Sequence, residues 1–375
     1  MKKTLGILAP IFEDNSFGAL TNSRESSMLP FGCRYRLIDF PLSNMTHYDI
    51  RTVAIYSGKK IRSHMDHLNM GAPWNLNRRF QGLFLFPPVA TDDERNKYGE
   101  MVDFDKTETF FRETREKYVY YHRPRFLMKP DLDAMFQHFE ETGADVCLLY
   151  APCEDPMGRY AGLQQLYFDE EGRFDNLGYH LGTSPKVNLY LNSFLMKKEI
   201  FVDLARRSLE RGDVSTMEDA LYNYRDELNI VGFRHDGFFE AIRDIPSFYR
   251  ANMCLLEPDF YRQIFGDGHR ILTKTKDEPS TFYTKTAHVS NSLFANGCQI
   301  SGRVENSLVF RGAHIEEGAH VKNSIIMQKA HIKKGAVVIN AILDKYVTVG
   351  EGQYLMGSQI QPYVLPKNST IEEVL

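Results

Sequence analysis

The C-terminal part of this chain carries a repeat that few folds can accommodate. Aliphatic residues recur six apart, as in Ile315 and Val321 and again in Ile332 and Val338. The turn Glu-Glu-Gly that begins at residue 316 returns as Lys-Lys-Gly seventeen residues later, close to three sixes. This hexapeptide rhythm is typical of a triangular coil in which each side takes six residues. We therefore predict a left-handed parallel β-helix over residues 286–375.

The N-terminal part has a different pattern. Residues 1–250 alternate short apolar runs with helical segments, which indicates a mostly parallel sheet covered by helices. The predicted strands are residues 5–9, 53–56, 118–121 and 146–150. The fold class is therefore α/β, followed by the β-helix, with domains at 1–250 and 286–375 and a mostly irregular connector at 251–285.

Two helices have clear terminal signals. From Leu132, apolar residues fall at i, i+3, i+4 and i+7, and Gly143 stands where a left-handed C-terminal cap belongs. A second helix is predicted to start at Ser215, with Glu218 completing a capping box. Residues 87–117, rich in charged side chains, are expected to form an exposed loop.

Composition excludes several functional classes. The chain has 45 basic and 49 acidic residues, so no global positive field favours nucleic acid or an anionic membrane surface. Its five cysteines are scattered, without the spacing of a zinc site or a disulfide framework. The first apolar run is too short for a signal sequence, and no segment resembles a membrane span. We expect a cytoplasmic protein with reduced thiols.

Two adjoining segments resemble a known enzyme family. Residues 29–32 (Leu-Pro-Phe-Gly) and 35–44 (Tyr-Arg-Leu-Ile-Asp-Phe-Pro-Leu-Ser-Asn) are similar to a block of the ADP-glucose pyrophosphorylases, also called glucose-1-phosphate adenylyltransferases. Residues 237–252, 300–307 and 341–345 resemble later parts of that family, so the similarity covers nearly the whole chain. It implies a Rossmann-like nucleotidyltransferase domain followed by a β-helix, and a place in glycogen synthesis.

The chain departs from that family where the resemblance places catalysis. The phosphate loop Gly-Gly-x-Gly-x-Arg falls on residues 11–16, which read Ile-Phe-Glu-Asp-Asn-Ser. Bulky and acidic side chains there would oppose a triphosphate. The other family positions are a lysine after the loop, two metal-binding aspartates and a sugar-phosphate lysine. This chain has Ser16 in place of the loop arginine, Ser26 for the first lysine, Arg125 and Ala241 for the aspartates, and His180 near the second lysine.

Joining ATP to a sugar phosphate requires cationic groups and Mg²⁺ held by hard oxygen ligands. Without them we predict a catalytically inert chain with no metal or cofactor of its own. The resemblance then narrows to the non-catalytic, GlgD-type subunits of this family. It implies a catalytic ADP-glucose pyrophosphorylase subunit as partner, in a heterotetramer, with Mg²⁺ only at that partner.

Three arginines in or near the segment 29–44 are candidates for binding an anion. Arg24, Arg34 and Arg36 fall in the region where the family binds anionic effectors, and guanidinium groups suit phosphate or sulfate. The alternative is that they pair with carboxylates such as Asp39 or Glu25 and only stabilise the fold.

Two other functions stay open from the sequence. The chain could be an active nucleotidyltransferase with relocated metal ligands, for which Asp14, Asp39 and Asp131 are the first candidates. It could also be a ligand sensor or scaffold unrelated to glycogen. His64 and His67 lie three apart but lack completing ligands, so we predict that they are ordinary helix-surface residues.

Overall fold

A computed structural model describes residues 3–9, 15–212, 214–266 and 268–372. The chain divides into two compact units. Unit 1 contains Met1–Ile11, Pro41–Ile61 and Met70–Phe239, and unit 2 contains Phe12–Phe40, Arg62–Asn69 and Glu240–Leu375. Two N-terminal segments thus belong to the unit that holds the C-terminal repeats. The predicted boundaries at residues 250 and 285 stay a prediction, and below we use the two units.

The first thirteen strands precede the repeats. They are Thr4–Leu8 (β1), Pro30–Phe31 (β2), Tyr35–Arg36 (β3), Thr52–Tyr56 (β4), Gly82–Phe86 (β5), Tyr118–His122 (β6), Phe126–Met128 (β7), Val146–Glu154 (β8), Gln164–Phe168 (β9), Phe174–Tyr179 (β10), Lys186–Lys197 (β11), Ile230–Arg234 (β12) and Phe239–Ala241 (β13). The four predicted strands are confirmed as β1, β4, β6 and β8, with shifts of one residue at some ends and a longer β8.

Ten α-helices lie among the described residues. They are Asp39–His47 (α1), Arg62–Leu68 (α2), Asp92–Tyr98 (α3), Met101–Lys106 (α4), Glu108–Glu113 (α5), Leu132–Glu141 (α6), Lys198–Arg211 (α7), Met217–Asn223 (α8), Ile245–Met253 (α9) and Pro258–Phe265 (α10). None of the described helices has both the length and the apolar character needed to cross a membrane.

The core of unit 1 is a mixed sheet. Its main order is β10-β9-β11-β6-β1-β4-β5, and β8 pairs with β11 and β12. The neighbours β6, β1, β4 and β5 run parallel, whereas β11 runs antiparallel to β6 and β8. All five residues of β1 are buried, as expected for a central strand covered on both faces. The α/β prediction is confirmed.

The predicted β-helix is confirmed in unit 2. Sixteen short strands form three stacked sheets in which every pair is parallel. Ile315 pairs with Ile332, and Val321 with Val338, which is the seventeen-residue repeat of the sequence. These four aliphatic side chains are fully buried along the axis. Each coil therefore stacks its aliphatic residues on those of the next.

The strands of the β-helix follow in chain order. They are Phe282–Tyr283 (β14), His288–Ser290 (β15), Leu293–Phe294 (β16), Gln299–Ile300 (β17), Arg303–Glu305 (β18), Leu308–Val309 (β19), His314–Ile315 (β20), His320–Lys322 (β21), Ile325–Ile326 (β22), His331–Ile332 (β23), Val337–Ile339 (β24), Ala341–Leu343 (β25), Thr348–Val349 (β26), Tyr354–Met356 (β27), Tyr363–Leu365 (β28) and Thr370–Ile371 (β29).

The predicted C-terminal cap of α6 is confirmed, whereas the predicted N-terminal cap of α8 is displaced by one residue. Gly143 follows α6 with a φ of 60°, the left-handed conformation that its lack of a Cβ permits. The capping box of α8 lies one residue later than predicted. Thr216 and Asp219 form it, and Glu218 points into the core instead.

Two segments predicted to be irregular contain helices. Residues 87–117 hold α3, α4 and α5, because Met101, Phe104 and Phe111 bury their side chains in the core of unit 1. The start of the connector is helical as well, with α9 extending to Met253 and α10 covering Pro258–Phe265. The expectation of a loop at residues 87–117 was wrong, since short charged helices with few apolar anchors give a weak periodic signal. The described residues between α10 and β14 contain no helix or strand, so the rest of the connector is irregular as predicted.

The stacked aliphatic column predicts a specific stability effect. Ile332→Ala should lower the free energy of unfolding by about 2–4 kcal/mol, because it leaves a cavity between two tightly stacked coils. Chemical unfolding followed by circular dichroism measures this. Lys322→Ala, at an exposed position of β21, is the control and should change it by less than about 0.5 kcal/mol. An equal loss in both variants would contradict the stacked core.

Candidate functional site

Unit 2 contains a strongly cationic cavity of about 620 Å³. Among the described residues that line it, ten are arginine or lysine and two are aspartate or glutamate. The three arginines proposed from the sequence, Arg24, Arg34 and Arg36, all lie in its wall. The structure therefore brings together the residues predicted to bind an anion, and adds cations from far along the chain.

One side of the cavity is a corner of the β-helix. Arg311, Gln328, Lys345 and Lys367 occupy equivalent positions on successive coils and all line the cavity. The backbone N–H that follows each of the last three donates to the carbonyl of the residue one coil earlier. The residue after each has a left-handed φ between 56° and 66°, at Gly312, Lys329, Tyr346 and Asn368. The stacking of coils thus places cationic side chains one above another.

Arg24 is held by a buried ion pair with the β-helix. Its guanidinium donates to both carboxylate oxygens of Asp344 at 2.9 Å, and both side chains are at most 3% exposed. The equivalent positions of the two preceding coils are Phe310 and Met327, which are fully buried. An aspartate therefore replaces an apolar core residue at the one coil that meets Arg24. The alternative that this arginine pairs with a carboxylate is therefore supported, although the partner is Asp344 and not Glu25 or Asp39.

Arg34 and Arg36 do not form an ion pair of this kind with any described carboxylate. Arg36 donates from its guanidinium to the carbonyl of Ser63 at 3.2 Å, and its backbone N–H donates to Asp39. The Arg34 guanidinium lies 5.5 Å from the ring centre of Tyr35. No carboxylate among the described residues forms an ion pair with Arg34. Both guanidinium groups can therefore donate hydrogen bonds to an anionic ligand in the cavity.

The cavity lowers the pKa of its own cations. Burial, with the charges of Arg36 and Arg24, lowers the pKa of Lys345 to about 6. Burial and the charge of Arg24 likewise lower the pKa of Arg36 to about 10. Placing desolvated cations beside one another raises the free energy of the folded protein, and a multivalent anion bound among them would lower it. The arrangement suits a phosphate-bearing ligand.

The two histidines of α2 are buried, so the expectation of helix-surface residues was wrong. His67 lies 2.6 Å from the carboxylate of Asp39, which is fully buried. Burial, followed by the charges of Arg36 and His67, lowers the pKa of His64 to about 4. His67 therefore lines the cavity, whereas His64 is buried and is not among the lining residues.

The candidates for relocated metal ligands have other partners. Asp39 accepts from the Arg36 backbone and contacts His67. Asp131 caps α6 by accepting from the N–H of Ala134 at 3.0 Å. Asp14 lies outside the described residues. The two described aspartates thus serve local structure.

The positions equated with family catalytic residues are distributed between the units. Residues 11–14 of the expected phosphate loop lie outside the described residues. In unit 2, Ser16 is exposed, Ser26 is buried in a short 3₁₀ segment, and Ala241 ends β13 with its side chain buried. In unit 1, Arg125 lies between β6 and β7. These four residues supply no carboxylate and no lysine.

His180 is also committed to a structural contact. Its Nε2 lies 3.1 Å from Asp155, and both side chains are at most 2% exposed. The same carboxylate group accepts from the backbone N–H groups of Arg159 and Tyr160. His180 therefore helps to close a turn in unit 1.

A buried ionic cluster at the end of β6 was not found from the sequence. The Arg123 guanidinium lies 2.7 Å from Glu100 and 3.0 Å from Glu218. Burial raises the pKa of Glu100, and the carboxylate of Glu218 adds to this, although Arg123 opposes it. The sequence signal for this cluster is Glu218, which interrupts the buried face of α8 but also fits the capping box predicted from Ser215.

The C-terminal repeats match a described protein family. Residues 278–371 match the family described as "GlmU-like, C-terminal hexapeptide". This match covers the β-helix and agrees with its three stacked parallel sheets.

Relatives with known names cover most of the chain. The glycogen biosynthesis protein GlgD of Bacillus subtilis (strain 168) is 31% identical over 314 residues, spanning 84% of this chain and 81% of the relative. GlgD of Geobacillus stearothermophilus is 33% identical over 320 residues, spanning 85% and 83%. A glucose-1-phosphate adenylyltransferase of Halalkalibacterium halodurans is 25% identical, spanning 85% and 84%.

The Arg24–Asp344 pair predicts non-additive mutations. Asp344→Leu should lower the free energy of unfolding by about 3–5 kcal/mol, because it leaves a buried guanidinium without its partner. Arg24→Leu combined with Asp344→Leu should recover most of this loss, since Phe310 and Met327 already fill the equivalent positions. Urea unfolding of both single variants and the double variant measures the coupling. Simple additivity of the two losses would contradict a direct pair.

The position of Lys345 predicts that its charge lowers the stability of the fold and strengthens the binding of an anion. Because the pKa of Lys345 is about 6 in the folded protein, this side chain binds a proton more weakly in the folded than in the unfolded chain. Its protonation therefore lowers the free energy of unfolding most at low pH, and the effect disappears as the pH rises toward 10. Lys345→Met should therefore raise the free energy of unfolding at pH 7 by on the order of 1 kcal/mol, with the gain fading toward pH 10.

The matched control for this prediction is Lys367→Met, at an exposed position on the same corner. Unfolding is measured at pH 6, 7, 8 and 9 in buffers without phosphate or sulfate. Added pyrophosphate should raise the melting temperature of the wild type and raise that of Lys345→Met less. A Lys345→Met variant that is less stable than wild type at every pH would refute the cost of the buried cation.

Proposed function

Because the chain belongs to the GlgD family of glycogen biosynthesis proteins, we propose that it acts in that pathway as a regulatory subunit. In this proposal it makes no ADP-glucose by itself. It binds a catalytic glucose-1-phosphate adenylyltransferase subunit and raises the rate at which that subunit converts ATP and glucose 1-phosphate to ADP-glucose. Its five free cysteines fit a reducing compartment, and we propose a cytoplasmic location.

The observation that carries the proposal is the loss of both metal-binding carboxylates. Arg125 and Ala241 stand where the resemblance places the aspartates that hold Mg²⁺. Near the end of β6, Glu100 and Glu218 are both hydrogen-bonded to Arg123 and so are not free to replace them. Removing one group that stabilises a transition state typically costs about 3–4 kcal/mol. The joint loss supports an inert site, with Mg²⁺ required only by the partner.

The partner is proposed from the similarity to the enzyme and from what this chain retains. A chain that keeps the two-part fold of the adenylyltransferases keeps surfaces by which such chains can associate. We propose a heterotetramer of two regulatory and two catalytic subunits, since closed symmetric assemblies are the rule for soluble oligomers.

The cationic cavity supports a second element of the proposal, the binding of a phosphate-bearing effector. Arg34, Arg36 and Lys345 face the cavity without a carboxylate ion pair to any described residue. A ligand with two or more phosphate oxygens would satisfy several of these cations at once. Its binding energy would then favour one arrangement of the regulatory subunit over another.

The proposal is tested with purified chains. This chain alone, with Mg²⁺-ATP and glucose 1-phosphate, should form ADP-glucose on the order of 10³-fold more slowly than a glucose-1-phosphate adenylyltransferase from the same organism. Mixing the two should raise the rate of the enzyme, with a maximum at a fixed ratio. Light scattering after size exclusion should show one complex that contains both chains.

Lys345→Met separates assembly from effector response. This variant should form the same complex and should respond less to a phosphate-bearing effector, while Lys322→Ala, at an exposed position that does not line the cavity, should behave as wild type. Turnover by this chain alone that approaches that of the enzyme would overturn the regulatory proposal. Absence of any complex or rate change on mixing would favour a sensor or scaffold outside this pathway.

A further inference from the structure

Two histidines stack on the outer face of the β-helix. His314 and His331 pair in register on the neighbouring strands β20 and β23. Their rings are parallel within 8°, and the ring centres are 4.7 Å apart. The next residue on each strand, Ile315 or Ile332, is fully buried along the axis, so the histidines point outward. This places two imidazoles side by side on adjacent coils.

A glutamate completes a set of three possible ligands. Glu316 Oε1 lies 2.6 Å from His331 Nε2. Its Oε2 accepts from the backbone N–H of Lys334 at 3.0 Å, which fixes the carboxylate on its other side. One ligand atom from each of His314, Glu316 and His331 lies within 4.8 Å of the other two. In the part of the chain that the structure describes, no other group of three His, Cys, Asp or Glu residues meets that distance.

The groups around His314, Glu316 and His331 leave these three side chains accessible to a cation. Lys333, two residues after His331, forms its ion pair with Glu372 at 2.7 Å. Neither ring nitrogen of His314 hydrogen-bonds to any described residue. His331 and Glu316 are each about one-third exposed, so an ion can reach them from solvent.

We propose that His314, Glu316 and His331 bind a divalent transition-metal ion of the Zn²⁺ class. Two imidazole nitrogens and one carboxylate oxygen are ligands that Zn²⁺ prefers, at about 2.0–2.2 Å. The backbone contact of Glu316 supplies the kind of support that orients a metal ligand. Binding would draw the three ligand atoms, which lie within 4.8 Å of one another, toward a common ion. The ion would join two successive coils and keep one coordination position open.

The site is distinct from the cationic cavity, and none of its three residues lines that cavity. Its test uses this chain alone, so the result does not depend on assembly with a catalytic subunit. Metal-free protein, prepared with a chelator and then exchanged into a buffer without chelator, is titrated with Zn²⁺ by calorimetry. Co²⁺ is used in parallel, because its visible absorption reports the coordination geometry.

One equivalent of Zn²⁺ should bind per chain, and the melting temperature should rise on binding. His314→Gln and His331→Gln should each weaken binding by at least tenfold without changing the melting temperature of the metal-free protein. Mg²⁺ should not compete, since it prefers oxygen ligands.

His320→Gln is the matched control within the same β-helix. His320 also contacts a glutamate, Glu305, at 2.9 Å, but its neighbours in register are Arg303 and Val337 and not a second histidine. This variant should bind Zn²⁺ as wild type does. Absence of stoichiometric binding, or binding that is weakened equally by His320→Gln, would refute the site and show that the stacked rings only pack.

Discussion

The buried pair of Arg24 and Asp344 is the contact on which the organisation of unit 2 depends. It joins residues 320 positions apart and fixes an N-terminal segment against one coil of the β-helix. The pair is almost inaccessible to water, so breaking it would leave a bare charge in the core. Because Arg24 is held in this way, the following residues that include Arg34 and Arg36 line a cavity whose opposite wall is a corner of the β-helix.

The corner of the β-helix concentrates positive charge in the wall of the cavity. The corner repeats every coil, so cations at equivalent positions accumulate along the axis, as Arg311, Lys345 and Lys367 do. Desolvation then lowers the pKa of Lys345, and the protein bears this cost in its ligand-free form. Costs of this kind are common where a protein binds a charged ligand, because a site that suits the ligand is strained without it. The same repetition places His314 beside His331 on another face.

The sequence predicted the parts of the fold that depend on local spacing. The seventeen-residue period of the β-helix was readable because each coil buries the same aliphatic positions. The first strands of the sheet were readable because they are continuous apolar runs. Residues 87–117 were misread, since only a few apolar residues among many charges anchor α4 and α5. His64 and His67 were misread because polar residues in a short helix give no sign of which face is buried.

The sequence by itself therefore determined the α/β fold, the β-helix and the family, and it marked Arg24, Arg34 and Arg36 as a group. Only the tertiary structure decided that Asp344 is the partner of Arg24 and that the other two arginines face a cavity shared with the β-helix. The reason is that periodicity records which face of a segment is buried, which is a local property. The partner of a charged side chain is set by residues hundreds of positions away, and no spacing within the sequence encodes it.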